Sequence, residues 1–335
     1  MRSKLFNNNW LLAALLIVLA LVPFLSSSKF LLTMLITVFI LAVYGMSYDL
    51  LLGYTGIVSF GHTIFFGLGA YSVGILLTKT KQPNMLWVAL LIAIVGAALI
   101  GLVIGILSLR VKDVYFSMIT LAFAELFYIF AEKWSSFTGG SDGIPYIRVP
   151  SFFNDRTQFY FTALAFLALM YLMLRRVVHS PFGRTLQAIR ENEQRVESLG
   201  YNVLHYKLAS IVISGCVAAM SGGLWTVLQK YVNTSVFGMD RTIEALLMTI
   251  VGGVGTLFGA VLGAGVITFA HEWFSSLSTQ YPLFERWLMF FGILYIVIVM
   301  FFPKGILGTI LDKWTQKQGG SRNAASDSKR SKSIL

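Results

Sequence analysis

Charge is scarce in this sequence: Asp, Glu, Lys and Arg make up 12% of its 335 residues, about half the share of an ordinary soluble domain. Cysteine is nearly absent. Cys216 stands alone in an apolar run, which excludes a disulfide framework and a cysteine-built metal site. The four histidines, His62, His179, His205 and His271, are scattered, with no HExxH or His-x-His spacing that would suggest a metal. No GxxxxGK[ST] loop is present, so this chain is not itself a conventional P-loop nucleotide hydrolase. Any energy source must be a partner or an ion gradient.

What is abundant is hydrocarbon. Hydrophobic residues make up 56% of the chain, and mean hydropathy is +0.75. Runs such as LLAALLIVLALV, MLWVALLIAIVGAALIGLVIGIL and WLMFFGILYIVIVMFF approach or reach the roughly 20 residues a bilayer-spanning helix requires. The expected fold is an all-α polytopic membrane protein. Spans are expected near 10–25, 30–52, 63–79, 86–108, 114–134, 158–175, 207–230 and 284–302, about eight in all. MRSK and the apolar block after it resemble a signal peptide. No A-x-A cleavage site follows, so the block is expected to stay as the first helix.

A further apolar region, 242–270, is interrupted by VGGVGTLFG. The break at Gly252, Gly253 and Gly255 is expected to mark a re-entrant pair of half-helices, because non-helical backbone at membrane depth is tolerated only inside protein or beside a wet cavity. Gly259, Gly263 and Gly265 suit close helix packing instead. Gly67-Leu-Gly69 echoes Gly263-Ala-Gly265, which suggests two interrupted segments lining one pathway.

The net charge of +11 reads as membrane topology rather than nucleic-acid binding, since the basic residues lie in short loops and in the tail. With the N-terminus inside and 242–270 dipping in and returning, the inward segments 1–9, 109–113, 175–207 and 303–335 hold seventeen of the 26 Lys and Arg. The chain thus divides into a transmembrane domain, 1–310, and a basic tail, 311–335, expected to be disordered and cytoplasmic.

Ionisable residues within or beside spans are costly and normally face the bundle interior. They are Asp49, His62, Glu125 and Glu244. Glu125 is the deepest by position, either on a substrate path or hydrogen-bonded to a neighbouring helix. Asp49 falls near the interface. His62 follows a glycine at a helix start and suits a packing role, while Glu244 lies in the first turn of a half-helix, where the dipole favours it. TGGSDG (138–143) reads as a structured outer loop.

The most informative polar stretch is HSPFGRTLQAIRENEQRVESLGYNVLHYK, in the inward segment 175–207, of which 176–206 is the cytoplasmic segment expected to carry any coupling role. Ser180-Pro181 supplies a cap and a first-turn proline. Leu186, Ile189, Val196 and Leu199 form one apolar stripe beside Arg184, Arg190, Glu191, Glu193, Arg195 and Glu197, and Gly200 offers a stop. Interfacial helices carry mainly Lys and Arg on the polar face. Here the signs are mixed, which suits a protein groove.

Taken together, GYTGIVSFGHTIFFGLGAY, TGGSDGI, HSPFGRTLQAIRENEQRVESLGYN, MTIVGGVGTLFGAVLGAG and FFPKGILG resemble the permease subunits of bacterial branched-chain amino acid ABC importers, in order over roughly 30–310. The family also includes urea and short-amide permeases. The resemblance implies a type II-importer-like permease in the bacterial cytoplasmic (inner) membrane, both termini inside. It implies a second homologous permease, two cytoplasmic ATP-binding-cassette subunits and an external substrate-binding protein as partners, with ATP used by those partners and no cofactor held here. It implies further that 182–200, including Phe182, Gly183 and the charged residues named above, is the coupling helix. The Gly53–Gly61 turn and the Gly252–Gly255 break would then let backbone approach the translocation path, with Tyr54, Thr55, Ser59 and His62 as polar contacts. A secondary transporter driven by an ion gradient, and a membrane scaffold or lipid-modifying enzyme, are the competing readings.

Overall fold

The computed structural model describes residues 9–25, 28–111, 113–278, 292–293, 296, 300–301 and 305–309. Its helices are α1 (Asn9–Leu25), α2 (Lys29–Asp49), α3 (Thr63–Thr80), α4 (Leu86–Ser108), α5 (Asp113–Lys133), α6 (Ser135–Thr138), α7 (Arg156–His179), α8 (Pro181–Glu191), α9 (Glu193–Ser198), α10 (Val203–Gln229), α11 (Met239–Gly252) and α12 (Leu257–Ser278). Among the described residues, seven helical segments are long and apolar enough to cross a bilayer. This is the all-α polytopic architecture expected, and its reason is general: without water in the hydrocarbon layer, backbone groups must bond within their own segment. The span expected at 284–302 lies largely, and the tail at 311–335 wholly, outside the described residues.

The apolar runs differ in what they meet. The α2 and α10 spans are each 67% buried, whereas α4 is 33% and α5 28% buried. So α2 and α10 form the centre, with α4 and α5 on the rim. Small residues let central helices touch backbone to backbone. A β-carbon on Gly69 of α3 would overlap the Ala219 carbonyl of α10, and one on Gly222 of α10 would overlap the Phe66 carbonyl of α3. Gly69→Val is therefore expected to lower stability by about 3 kcal/mol, the upper end of ordinary overpacking. Gly265→Ala, whose new methyl would meet only Val38 Cγ1 at 3.9 Å, should melt as the parent does in a detergent thermal-unfolding assay.

Residue neighbours give the helix directions. Gly255 lies by Gly53, Ala260 by Gly45 and Gly265 by Val38, so α12 runs antiparallel to α2. The α11–α12 turn consequently sits at the end of α2 that carries Gly53, which is also the end reached by α8. Here the structure modifies an expectation. The break at Gly253 is present, but its arms are unequal: α11 has 14 residues and α12 has 22, about 21 and 33 Å at 1.5 Å per residue. The second arm is long enough to cross, because its apolar run continues past 270. Gly252 of α11 packs on the Gly259 carbonyl, and Gly263 of α12 on the Met248 carbonyl, which holds the two arms together.

At the opposite end, an antiparallel bridge ties the loop after α5 to the loop after α10. Ile144 N donates to Val232 O at 2.7 Å, and Val232 N to Ile144 O at 3.2 Å. The TGGSDG loop is ordered beside it, with Thr138 Oγ1 donating to Ala131 O at 2.5 Å.

Candidate functional site

Three segments far apart in sequence meet where α2 ends. Asp49 closes the helix and is fully buried. A π-helical turn, Leu50–Thr55, follows it, a widening often found at functional sites, and within it Thr55 Oγ1 donates to Leu50 O at 2.9 Å. The turn brings Gly53 against the α11–α12 connection so closely that a β-carbon would overlap both the Asp49 carboxylate and the Gly255 backbone. Gly253 (φ 122°) and Gly255 (φ 79°) hold angles that side chains with a β-carbon rarely adopt. Glycine is needed in that connection for its conformation, and at Gly53 for space. Gly305 packs on the same connection, with its β-carbon position overlapping Gly253.

The first amides of α12 would be open donors, and the end of α2 supplies an acceptor beside them. Asp49 Oδ1 accepts from Gly255 N at 2.7 Å. Its other oxygen is buried without a hydrogen-bond partner among the described residues. A carboxylate at a helix N-terminus is also favoured by the dipole. Asp49 is therefore a cap supplied by another helix.

Arg190 lies over this joint. From the last turn of α8 its Nη1 donates to the Gly53 carbonyl, and its charge faces Asp49. A β-carbon on Gly56 would come within 3.0 Å of Arg190 Cγ. Local chemistry places α8: Ser180 Oγ accepts from Gly183 N at 3.3 Å, Pro181 opens the helix, and Gly183 sits where any side chain would strike the Val177 and Val178 carbonyls.

Two expectations about this polar hook change. It is not one helix: Asn192 is extended (φ −159°, ψ 99°) and caps α9 by accepting from Arg195 N at 2.9 Å. That break turns Leu199 out of the apolar stripe, leaving it 70% exposed. The stripe itself is already covered by this chain. Leu186, Ile189 and Val196 are buried, the last two against Val203 and Tyr206, while Phe182 stacks on Tyr206 at 5.6 Å. Glu193 pairs with Lys207 of α10 at 2.7 Å. What faces outward includes Arg184, Gln187, part of Arg190, Glu191, Arg195, Glu197 and Leu199, ending at Gly200 (φ 88°).

The other marked residues lie elsewhere. Ser59 Oγ accepts from Gly61 N at 3.3 Å. His62 is fully buried, its Nε2 2.8 Å from Ser47 Oγ and its ring stacked on Tyr44 at 5.3 Å. The chain folding back before α3 is stitched to α11 by Thr63 N donating to Thr242 Oγ1 at 3.1 Å. Thr55, Ser59 and His62 thus bond to this chain itself. Glu125 is exposed on α5, away from the joint, and Glu244 pairs with Arg241 at 2.9 Å. Sequence reasoning missed the cap formed by Asp49 and the seat of His62. A signal for the latter was present, since Tyr44, Ser47 and Tyr48 recur at one-face helical spacing.

Among the described residues no three His, Cys, Asp or Glu side chains gather as metal ligands. A bundle of span-length helices, with a polar hook bolted to a glycine-built joint, defines a multi-pass membrane permease. The chain belongs to the family described as branched-chain amino acid transport system / permease component, whose model matches residues 30–300. It is 26% identical over 307 residues to the high-affinity branched-chain amino acid transport system permease protein LivM of Escherichia coli (strain K12), covering 84% of this chain and 70% of that one. It is 25% identical over 308 residues to the probable branched-chain amino acid transport permease protein LivM of Methanocaldococcus jannaschii, covering 79% and 89%. The tyrosine transport system permease protein of Clostridioides difficile is 30% identical over 157 residues, 47% of this chain and 50% of that one. No solved structure matches.

Proposed function

We propose that this chain is the membrane-spanning subunit of an ATP-binding-cassette importer for branched-chain amino acids. In this reading it pairs with a second, related permease in the inner membrane. Two ATPases dock beneath the pair, one of them on the outward face of this chain's 181–200 hook, and a binding protein delivers cargo at the opposite end. The match of residues 30–300 to the permease family carries the reading, and the names of the relatives supply the substrate class. The excess of Lys and Arg in the segments on the hook's side supports placing that side, and both termini, in the cytoplasm. The hook supports a docked engine: its apolar underside is fixed to the bundle, which leaves a mixed-charge face with Leu199 standing out.

Reconstitution in liposomes tests this. With both permeases, the ATPases and the binding protein present, labelled leucine should accumulate only when ATP is supplied, and unlabelled isoleucine or valine should compete. Competition by urea or acetamide alone would move the substrate class to amides. Leucine uptake by this chain alone, driven by a proton or sodium gradient, would replace the importer with a secondary transporter.

A further inference from the structure

Resting on the importer reading, we propose that Arg190 is a positioning residue that makes the hook and the membrane-embedded joint move as one body, rather than a contact for the ATPase. The hook is held to the bundle by apolar packing, by the Glu193–Lys207 pair to α10 and by Arg190. Its apolar underside, Leu186 and Ile189, is buried, and such contact is non-directional, so it permits sliding. Arg190 is the directional link to the joint: a charged donor on a fixed backbone acceptor is among the stronger and more oriented hydrogen bonds, whereas Glu193 ties the hook only to α10.

Its acceptor is what matters. Gly53 O belongs to the end of α2, and Gly53 is packed on Gly255 without room for a β-carbon. The same guanidinium faces Asp49, the carboxylate that caps the start of α12, and a β-carbon on Gly255 would come within 3.2 Å of Arg190 Nη1. One side chain therefore ties α8 to α2 and to the α11–α12 connection, and α12 runs alongside α2 from there. Displacing α8 displaces the ends of two spans. The planar fork of arginine suits a site shared by the Gly53 carbonyl and the Gly255 backbone, whereas lysine offers the charge without that flat, fixed geometry. Arg190 is exposed as Arg184 and Glu191 are, but it alone of the three bonds to Gly53 O, and the other two form the face offered to a partner.

The test uses the complete importer in liposomes, reading ATP hydrolysed per leucine taken up. Arg190→Gln should still copurify with the ATPases and hydrolyse ATP within about two-fold of the parent, while leucine uptake falls about ten-fold or more, so that the ratio rises by a similar factor. Arg190→Lys should fall between the two, a graded rescue that general loss of structure would not give. The double variant Arg184→Gln/Glu191→Gln should lose hydrolysis and uptake together, with the ratio kept. An unchanged ratio in Arg190→Gln, or loss of the ATPases from its complex, overturns the proposal. If Arg190→Gln does not accumulate, Arg190→Lys carries the test alone: a raised ratio supports the assignment and the parental ratio overturns it. Parental uptake that needs no ATPase would instead remove the importer reading and leave the contact at Gly53 as a structural fact.

Discussion

Alanine at Gly53 is expected to abolish uptake and to destabilise the protein by about 3 kcal/mol or more, at or beyond the upper end of ordinary overpacking. The reason is space alone. Gly53 is not among the residues with positive φ, so alanine can adopt its backbone conformation. What it cannot do is keep the contact, because its methyl would fall on the Asp49 carboxylate and on the Gly255 backbone. Neither neighbour can yield cheaply, since Asp49 is committed to Gly255 N and Gly255 is backbone in a constrained turn. Gly96→Ala is the control, because a β-carbon there meets nothing within 4 Å. It lies inside α4, where replacing glycine by alanine gains up to about 1 kcal/mol of helix propensity. Thermal unfolding in detergent and leucine uptake, measured on both, decide the matter. A Gly53→Ala protein that melts and transports as the parent does would show that the joint is loose.

Asp49→Ala should have a large effect as well. It removes the acceptor of Gly255 N and the carboxylate facing Arg190. A part-buried amide left without its acceptor costs about 1–3 kcal/mol, and losing a carboxylate near a helix N-terminus costs up to about 2 kcal/mol. These overlap, so the whole effect should be about 2–3 kcal/mol rather than their sum. Asp49→Asn keeps an acceptor oxygen but loses the charge, and should give back most of the hydrogen-bond term. The remaining deficit is then the dipole and Arg190 contribution, about 1–2 kcal/mol. Chemical denaturation of the three proteins in detergent would order them parent, Asn, Ala. Equal midpoints for Asn and Ala would mean that charge, not hydrogen bonding, holds α12 in place.

Much of the fold could be read in advance because the relevant signals are local. Apolar length marks the spans, and Ser180-Pro181 and Gly200 bracket the hook. Gly253 and Gly255 mark the break, since few other residues adopt their angles. The site was legible only in pieces. Arg190, Asp49 and the Gly252–Gly255 cluster each stood out alone, but Arg190 meets Gly53 across 137 positions and Asp49 meets Gly255 across 206. No periodicity reports a meeting of that kind. The apolar stripe shows the same limit. Its existence is a pattern and can be read, whereas its burial under Val203 and Tyr206 depends on where α10 lies. Asn192 was misread for another reason: an Asn inside a helical pattern competes for the backbone and can restart the helix as a cap, which shifted Leu199 to the outside.

The unequal arms around Gly253 make a detour. A strand of rope lowered from a deck and hauled back up ends on the deck, however deep it went. α11 and α12 carry the chain down to the hook's level and back, so Ser278 lies toward the end from which Met239 set out.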